Sequence, residues 1–290
     1  MKALLRLFVF VSLVSCGPRE KKSNTYQWQN DIANWNGLLT DVIVKDIFTP
    51  PVASRIYAYA NLAAYEVMAA HSDNYQSLSA QMMGFDIIPK SDGQIVPEVA
   101  SVVAFVTAAK PLVYSASMLD SLESTFLTKQ LKYFDEDILE TSVKYGKLVG
   151  STIGKRAQKD GYTERQALPR YHLQNDPGRW KPTPPDYMPA IEPHWNTISP
   201  FVIDSAKQFV PDQPTAFATD KSSKFYEEVL EVYNTVNKVD EEQLEIAKFW
   251  DCNPNISYTR GHMMFFEQKI SPGGHWIMIA GIASKVKKYR

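Results

Sequence analysis

The stretch TPPVASRIYAYANLAAYEVMAA, residues 49–70, admits only one kind of surroundings. Nearly every position after the paired prolines is apolar or small. Thr49 reads as an N-cap, and Pro50 and Pro51 fall in the first turn, where a helix tolerates proline. A helix that is apolar almost all round has no side to offer water, so other elements must enclose it. Arg55 and Glu66 stand eleven residues apart, about three turns at ~3.6 residues each, and so share a face. PEVASVVAFVTAA is a second segment of the same kind, ended by Lys110-Pro111. It is too short to cross a bilayer, which takes ~20 apolar residues. Two such helices demand a shell of amphipathic ones.

The rest of the chain supplies that shell. Trp28, Ile32, Trp35, Leu39 and Val42 recur at steps of four and three, one face of a helix. A fourth helix is predicted over roughly 116–133. A fifth runs from Asp135 to about Lys159, with Ile138, Tyr145, Val149 and Thr152 on one side. Within it Gly146, Gly150 and Gly154 lie four apart and form a smooth ridge. In a bilayer such a ridge pairs helices, but Lys144, Lys147 and Lys155 interrupt this one, which points to close packing in a soluble core. Phe225, Val229, Val232 and Val236 restore helical periodicity, and Asp240 with Gln243 makes a capping-box start for EEQLEIAKFW. A last helix begins near Gly274 and carries Trp276, Ile279, Ala280, Ala283 and Val286 on one face, left for a partner to cover. No segment holds the period-2 alternation of strands for long, and no repeat of fixed period occurs. The expected fold is an all-α helical bundle.

Between Gly161 and Thr215 the chemistry changes. Pro169, Pro177, Pro182, Pro184, Pro185, Pro189, Pro193, Pro200, Pro211 and Pro214 forbid long helices and strands there. Trp180, Tyr187, Trp195 and Phe201 are spaced through it like pegs, which predicts an ordered wrap over the bundle rather than a linker between domains.

With 290 residues, 44% of them hydrophobic, the chain can bury one large core or two modest ones. A net charge of -1 from interspersed cations and carboxylates supplies no broad field for nucleic acid. The first residues stand apart. Lys2 and Arg6 flank the run ALLRLFVFVSLV, with Ser15-Cys16-Gly17 directly after, the pattern of an export signal. Leu13-Val14-Ser15-Cys16 resembles the lipobox of bacterial lipoproteins. That resemblance implies cleavage before Cys16 and lipidation of its thiol, with an ordinary signal peptide and an incidental cysteine as the other reading. The domain reading is a signal peptide over 1–15, a polar tether over 16–26 and one helical body over 27–290. The expected location is that of an exported bacterial lipoprotein, periplasm-facing or held at the outer membrane. Cys252 then has no intrachain partner, so no disulfide framework supports the fold.

The residues name no reaction. His71, His172, His194, His262 and His275 form no HExxH, and Cys252 with His262 and His275 lacks the paired spacing of a zinc site. Phosphate-binding glycine loops and nucleophile elbows are missing too. In the SPGGH stretch, residues 271–275, Gly273 and Gly274 read as permitting a tight turn, and His275 and Trp276 as packing the start of a core helix. No catalytic, cofactor-binding or metal-binding residue is assigned; Cys16 alone is assigned, as the lipidation site.

Three stretches carry a resemblance: TPPVASRIYAYANLAAYEV, PGRWKPTPPDYMPAIEPHWNTISPF, and EEQLEIAKFWDCNPNISYTRGHMMF running into PGGHW. Together they resemble the amino-terminal half of bacterial vanadium-dependent haloperoxidases, relatives of the type-2 phosphatidic acid phosphatases. The resemblance implies a helical bundle. In that family the bundle holds vanadate or phosphate through a lysine and arginine in KxxxxxxRP, a serine, glycine and histidine in PSGH, and an arginine and histidine in SRxxxGxH. This chain has no Arg-Pro dipeptide and no Ser-Gly-His. Ser54-Arg55 is not followed by the required glycine and histidine, and the serine of SPGGH is misplaced. The resemblance therefore implies an incomplete domain whose carboxy-terminal catalytic half is absent. No cofactor is expected on this portion, and vanadate is implied for the complete protein. The implied partners are that missing half, a membrane through the Cys16 anchor and no nucleic acid; an oligomer stays open. Whether the chain is itself an enzyme also stays open. The complete protein would oxidise halide with peroxide or hydrolyse phosphate esters; the alternative is a non-catalytic periplasmic scaffold or binding lipoprotein.

Overall fold

A computed structural model describes residues 28–184, 187–251, 257–260, 263–266 and 269–286. The signal, Cys16 and tether assignments lie outside these residues, as do Cys252 and His262. The elements are α1 (Trp28–Lys45), α2 (Pro50–Ala70), α3 (Pro97–Ala109), α4 (Ala116–Gln130), α5 (Glu136–Gln158), α6 (Lys224–Lys238), α7 (Glu241–Phe249), β1 (Ser257–Arg260), β2 (Met263–Phe266) and α8 (Pro272–Val286). The fold is helical, as the periodicity predicts, with one departure. β1 and β2 pair antiparallel, Ser257 opposite Phe266 and Arg260 opposite Met263. Each strand is only four residues long, too short for alternation to stand out. Among the described residues no helix is long and apolar enough to cross a membrane.

α3 is the axis of the body, packed between α2 and α5. Its run from Val99 to Val106 is buried on all sides, which is why no amphipathic pattern shows in its sequence. α2 buries Val52, Ile56, Tyr59, Ala60, Ala63 and Val67, and α1 contributes Trp35, Leu39 and Val42. The glycine ridge of α5 lies against α3. A Cβ on Gly146 would come 2.5 Å from the Ala100 carbonyl, and one on Gly150 2.6 Å from that of Ala104. Gly154 meets nothing within 4 Å, so two of the three glycines form the contact.

Helix starts are secured in several ways. Asp240 accepts from the Gln243 amide at 2.8 Å and the Gln243 side chain accepts from the Asp240 amide, the capping box the sequence predicts. Thr49 occupies the N-cap position of α2 but makes no capping bond; its hydroxyl donates to Glu192 in the proline-rich wrap. Asp46, just after α1, anchors the chain entering α4, accepting from the amides of Tyr114 and Ser115 and from the Ser115 hydroxyl.

The outer elements leave apolar surface uncovered. On α6, Val229, Val232, Tyr233 and Val236 are exposed, as are Phe249 and Trp250 at the end of α7. α8 packs on α1 and α2, yet Trp276 and Val286 stay exposed. Its outward apolar face agrees with the sequence reading; burial of Trp276 at its start does not. The α8 backbone approaches α2 through Gly273 and Gly274, which leaves the indole pointing away from the core.

Candidate functional site

Charge is buried at one place in particular, where α2 and α5 meet the wrap. Arg55 of α2 is enclosed by apolar neighbours and must find an anion within the protein. Its Nε donates to Asp160 Oδ2 at 2.7 Å, and its Nη2 donates to Asp160 Oδ1 and to the Ala157 carbonyl. Asp160 follows α5 by two residues, and its other partners are the Tyr59 hydroxyl and the Tyr162 amide. Arg156, one turn earlier, donates to the Tyr59 oxygen at 2.7 Å, to the Met83 carbonyl and to the Pro200 carbonyl. Tyr59 thus accepts from one arginine and donates to the carboxylate paired with the other. Burial, followed by the charge of Asp160, pushes its phenol well above the usual tyrosine range, with Arg156 opposing, so the bridging proton stays on Tyr59.

The arrangement continues into the wrap. Arg165 pairs with Glu192, which also receives the Thr49 hydroxyl. The guanidinium groups of Arg55 and Arg165 each lie 4.3 Å from the Tyr162 ring centroid, and that of Arg156 lies 4.6 Å from Phe201. Arginines and rings therefore alternate along a ladder, Arg165, Tyr162, Arg55, Tyr59, Arg156 and Phe201. Burial also raises Tyr162. Guanidinium stacking on aromatic faces is worth ~0.5–2 kcal/mol per contact, more as water is excluded. Of the four predicted pegs, Trp195 and Phe201 pack into this region. Trp180 and Tyr187 do not: Trp180 pairs with Tyr171 inside the wrap, and Tyr187 is exposed.

A tetrahedral oxyanion needs several donors free to converge on it. The ladder does not fit that need. Arg55 and Arg156 are committed to protein oxygens, and the Asp160 and Glu192 carboxylates stand where an anion would be repelled. Arg165 Nε has no acceptor, but it is sealed from solvent. The ladder's chemistry is that of a clamp fastening the wrap to the bundle.

The histidines are dispersed. His71 Nδ1 lies 2.9 Å from the Val67 carbonyl, His194 Nε2 lies 2.6 Å from the Pro169 carbonyl, and His172 is exposed. Among the described residues no group of three or more His, Cys, Asp or Glu side chains is placed to hold a metal ion. SPGGH starts α8. The Ser271 hydroxyl accepts from the Gly274 amide, and His275 stacks on Trp250 with centroids 6.1 Å apart. The two glycines do not make a tight turn. They lie in the first turn of the helix, where a Cβ on Gly274 would meet the Tyr57 hydroxyl at 2.7 Å and one on Gly273 the Ser54 hydroxyl at 3.2 Å. Ser54 itself donates to the Pro50 carbonyl.

No protein-family model and no curated protein matches the sequence. Among solved structures, the first bacterial vanadium-dependent iodoperoxidase matches it with a TM-score of 0.79 and 41% identity. The match covers 89% of this chain and 61% of the iodoperoxidase chain. Over the part it spans, the chain is similar in fold and sequence to this bacterial vanadium-dependent enzyme, which supports the resemblance to the haloperoxidase superfamily. Its particular likeness is to an iodoperoxidase, of whose chain it spans about three-fifths.

Proposed function

We propose that this chain forms the helical body of a vanadium-dependent haloperoxidase-like protein whose complete form binds vanadate or phosphate. With vanadate it oxidises halide, iodide first, using peroxide; the same pocket hydrolyses phosphate esters when phosphate chemistry is its role. The observation carrying this reading is the likeness to the iodoperoxidase at 41% identity over 89% of the chain. The anion-gripping residues come from a further portion that this sequence does not supply, since the buried arginines Arg55, Arg156 and Arg165 are engaged with Asp160, the Tyr59 hydroxyl and Glu192. That portion seats on the exposed apolar faces of α6, α7 and α8. The amino-terminal segment supports an exported lipoprotein anchored through Cys16, held at the outer membrane or facing the periplasm.

The experiment compares the 290-residue chain with the same chain extended by the reading frame downstream of Arg290. Vanadate-dependent iodide oxidation and hydrolysis of p-nitrophenyl phosphate are followed for both. The extended protein turns over one substrate class and the shorter one stays at background; turnover by the shorter chain overturns the reading. A non-catalytic periplasmic scaffold is the rival, favoured by the internal pairing of the ladder, and it predicts no turnover by either. Radiolabelled fatty acid incorporated by the parent and lost in Cys16→Ser tests the anchor.

A further inference from the structure

The proline-rich wrap holds a second feature that the ladder does not use. Between residues 168 and 181 the side chains of Arg170, Arg179 and Lys181 are exposed, against a single carboxylate, Asp176. Asp176 is partly engaged, accepting from the Gly178 amide and lying 3.8 Å from Arg179. Among these cations Tyr171 and Trp180 meet edge to face, ring centroids 5.5 Å apart, with Trp180 48% exposed. The segment is held in place at both sides. His194 bonds the Pro169 carbonyl, and Gly178 rests on Phe217, 3.2 Å from where a Cβ would stand. Cations flanking half-exposed indole and phenol rings suit the boundary of a membrane, where such rings sit at headgroup depth and basic side chains meet anionic lipid. A net charge of -1 over the whole chain does not oppose this, because surface attraction decays within about a Debye length, ~8–10 Å.

We infer that residues 168–181 are a contact surface for an anionic lipid bilayer, independent of any acyl chain. Duplex nucleic acid keeps its base faces stacked on one another and offers no apolar layer to the Tyr171–Trp180 pair, and free phosphate would use the cations alone. The full chain is assayed with Cys16→Ser in every version, so that no acyl chain attaches and residues 1–27 contribute equally throughout. Binding is measured by co-sedimentation with vesicles of phosphatidylcholine, with and without phosphatidylglycerol. Each cation near an anionic surface contributes about fivefold, so R170Q/R179Q/K181Q binds the anionic vesicles about a hundredfold more weakly. Added salt weakens the parent, and Trp180→Phe removes the blue shift in tryptophan emission on binding. Equal partition into both vesicle types, an unaffected triple variant, or the same charge-dependent binding to DNA without binding to vesicles overturns the inference. None of these outcomes bears on the oxyanion reading, because the loop holds no residue of that site.

Discussion

Arg55 Nε and Asp160 Oδ2 are 2.7 Å apart, with side chains only 5% and 1% exposed, and they join the centre of the bundle to the start of the wrap. Removing one member of such a pair leaves the other charged and enclosed, at a cost of ~3–5 kcal/mol. Asp160→Asn is expected to lose about that much in urea denaturation and to open the wrap to proteolysis near Arg165. Replacing both residues with apolar ones of similar volume is expected to cost much less. Equal losses in the single and double variants would place the stabilisation elsewhere.

The α5 glycines allow a contrast within one helix. Gly146→Ala drives a methyl group toward the Ala100 carbonyl and is expected to destabilise by ~1–3 kcal/mol or more. Gly154→Ala meets nothing within 4 Å and gains up to ~1 kcal/mol of helix propensity. Thermal melts of the two variants should therefore shift in opposite directions.

Alkaline pH acts through the buried phenols. Burial raises Tyr57, Tyr59, Tyr145 and Tyr162 from an ordinary value of 10.0, Tyr145 to about 12 with the charge of Glu66 adding to the effect. A folded-state value above the unfolded one means that the native protein holds more protons between the two. The contribution to stability is complete below pH 10 and declines as pH climbs through the folded values. Stability from urea titrations should be level with respect to these groups up to pH 10 and fall steeply above it. Tyr145→Phe removes a hydroxyl that donates to the Pro89 carbonyl and makes the fall shallower.

The open face of α6 gives the reverse expectation. Val232 and Val236 are 64% and 66% exposed. Changing both to Glu should alter folding stability by no more than about 0.5 kcal/mol per site while lowering binding of a hydrophobic dye and any self-association. A loss of stability well beyond that would show that the face is already covered in solution.

Much of the fold was legible because its signals are local. The all-apolar α2 and α3, the Asp240–Gln243 box and the glycine spacing in α5 each speak within a few residues of one another. The ladder was not legible for the opposite reason. Arg55 lies 105 residues before Asp160, and Arg165 meets Glu192 across a stretch of prolines with no periodicity to align them. A buried arginine in an apolar helix announces that a carboxylate must exist but not which one. The same limit explains Thr49, whose capping position is clear in sequence while its distant acceptor is not. At SPGGH the spacing of glycine to α2 is a tertiary fact, so a turn was the natural local reading of a pair that serves close approach.

The seating of Gly273 and Gly274 on Ser54 and Tyr57 has a consequence for the order of events in the chain's life. α2 is made early, but its flank closes only after roughly two hundred further residues have emerged, and contacts that distant form slowly. Until then Tyr57 waits with one side open. The nascent polypeptide is thus kept from closing this flank of α2 before the start of α8 has been synthesised.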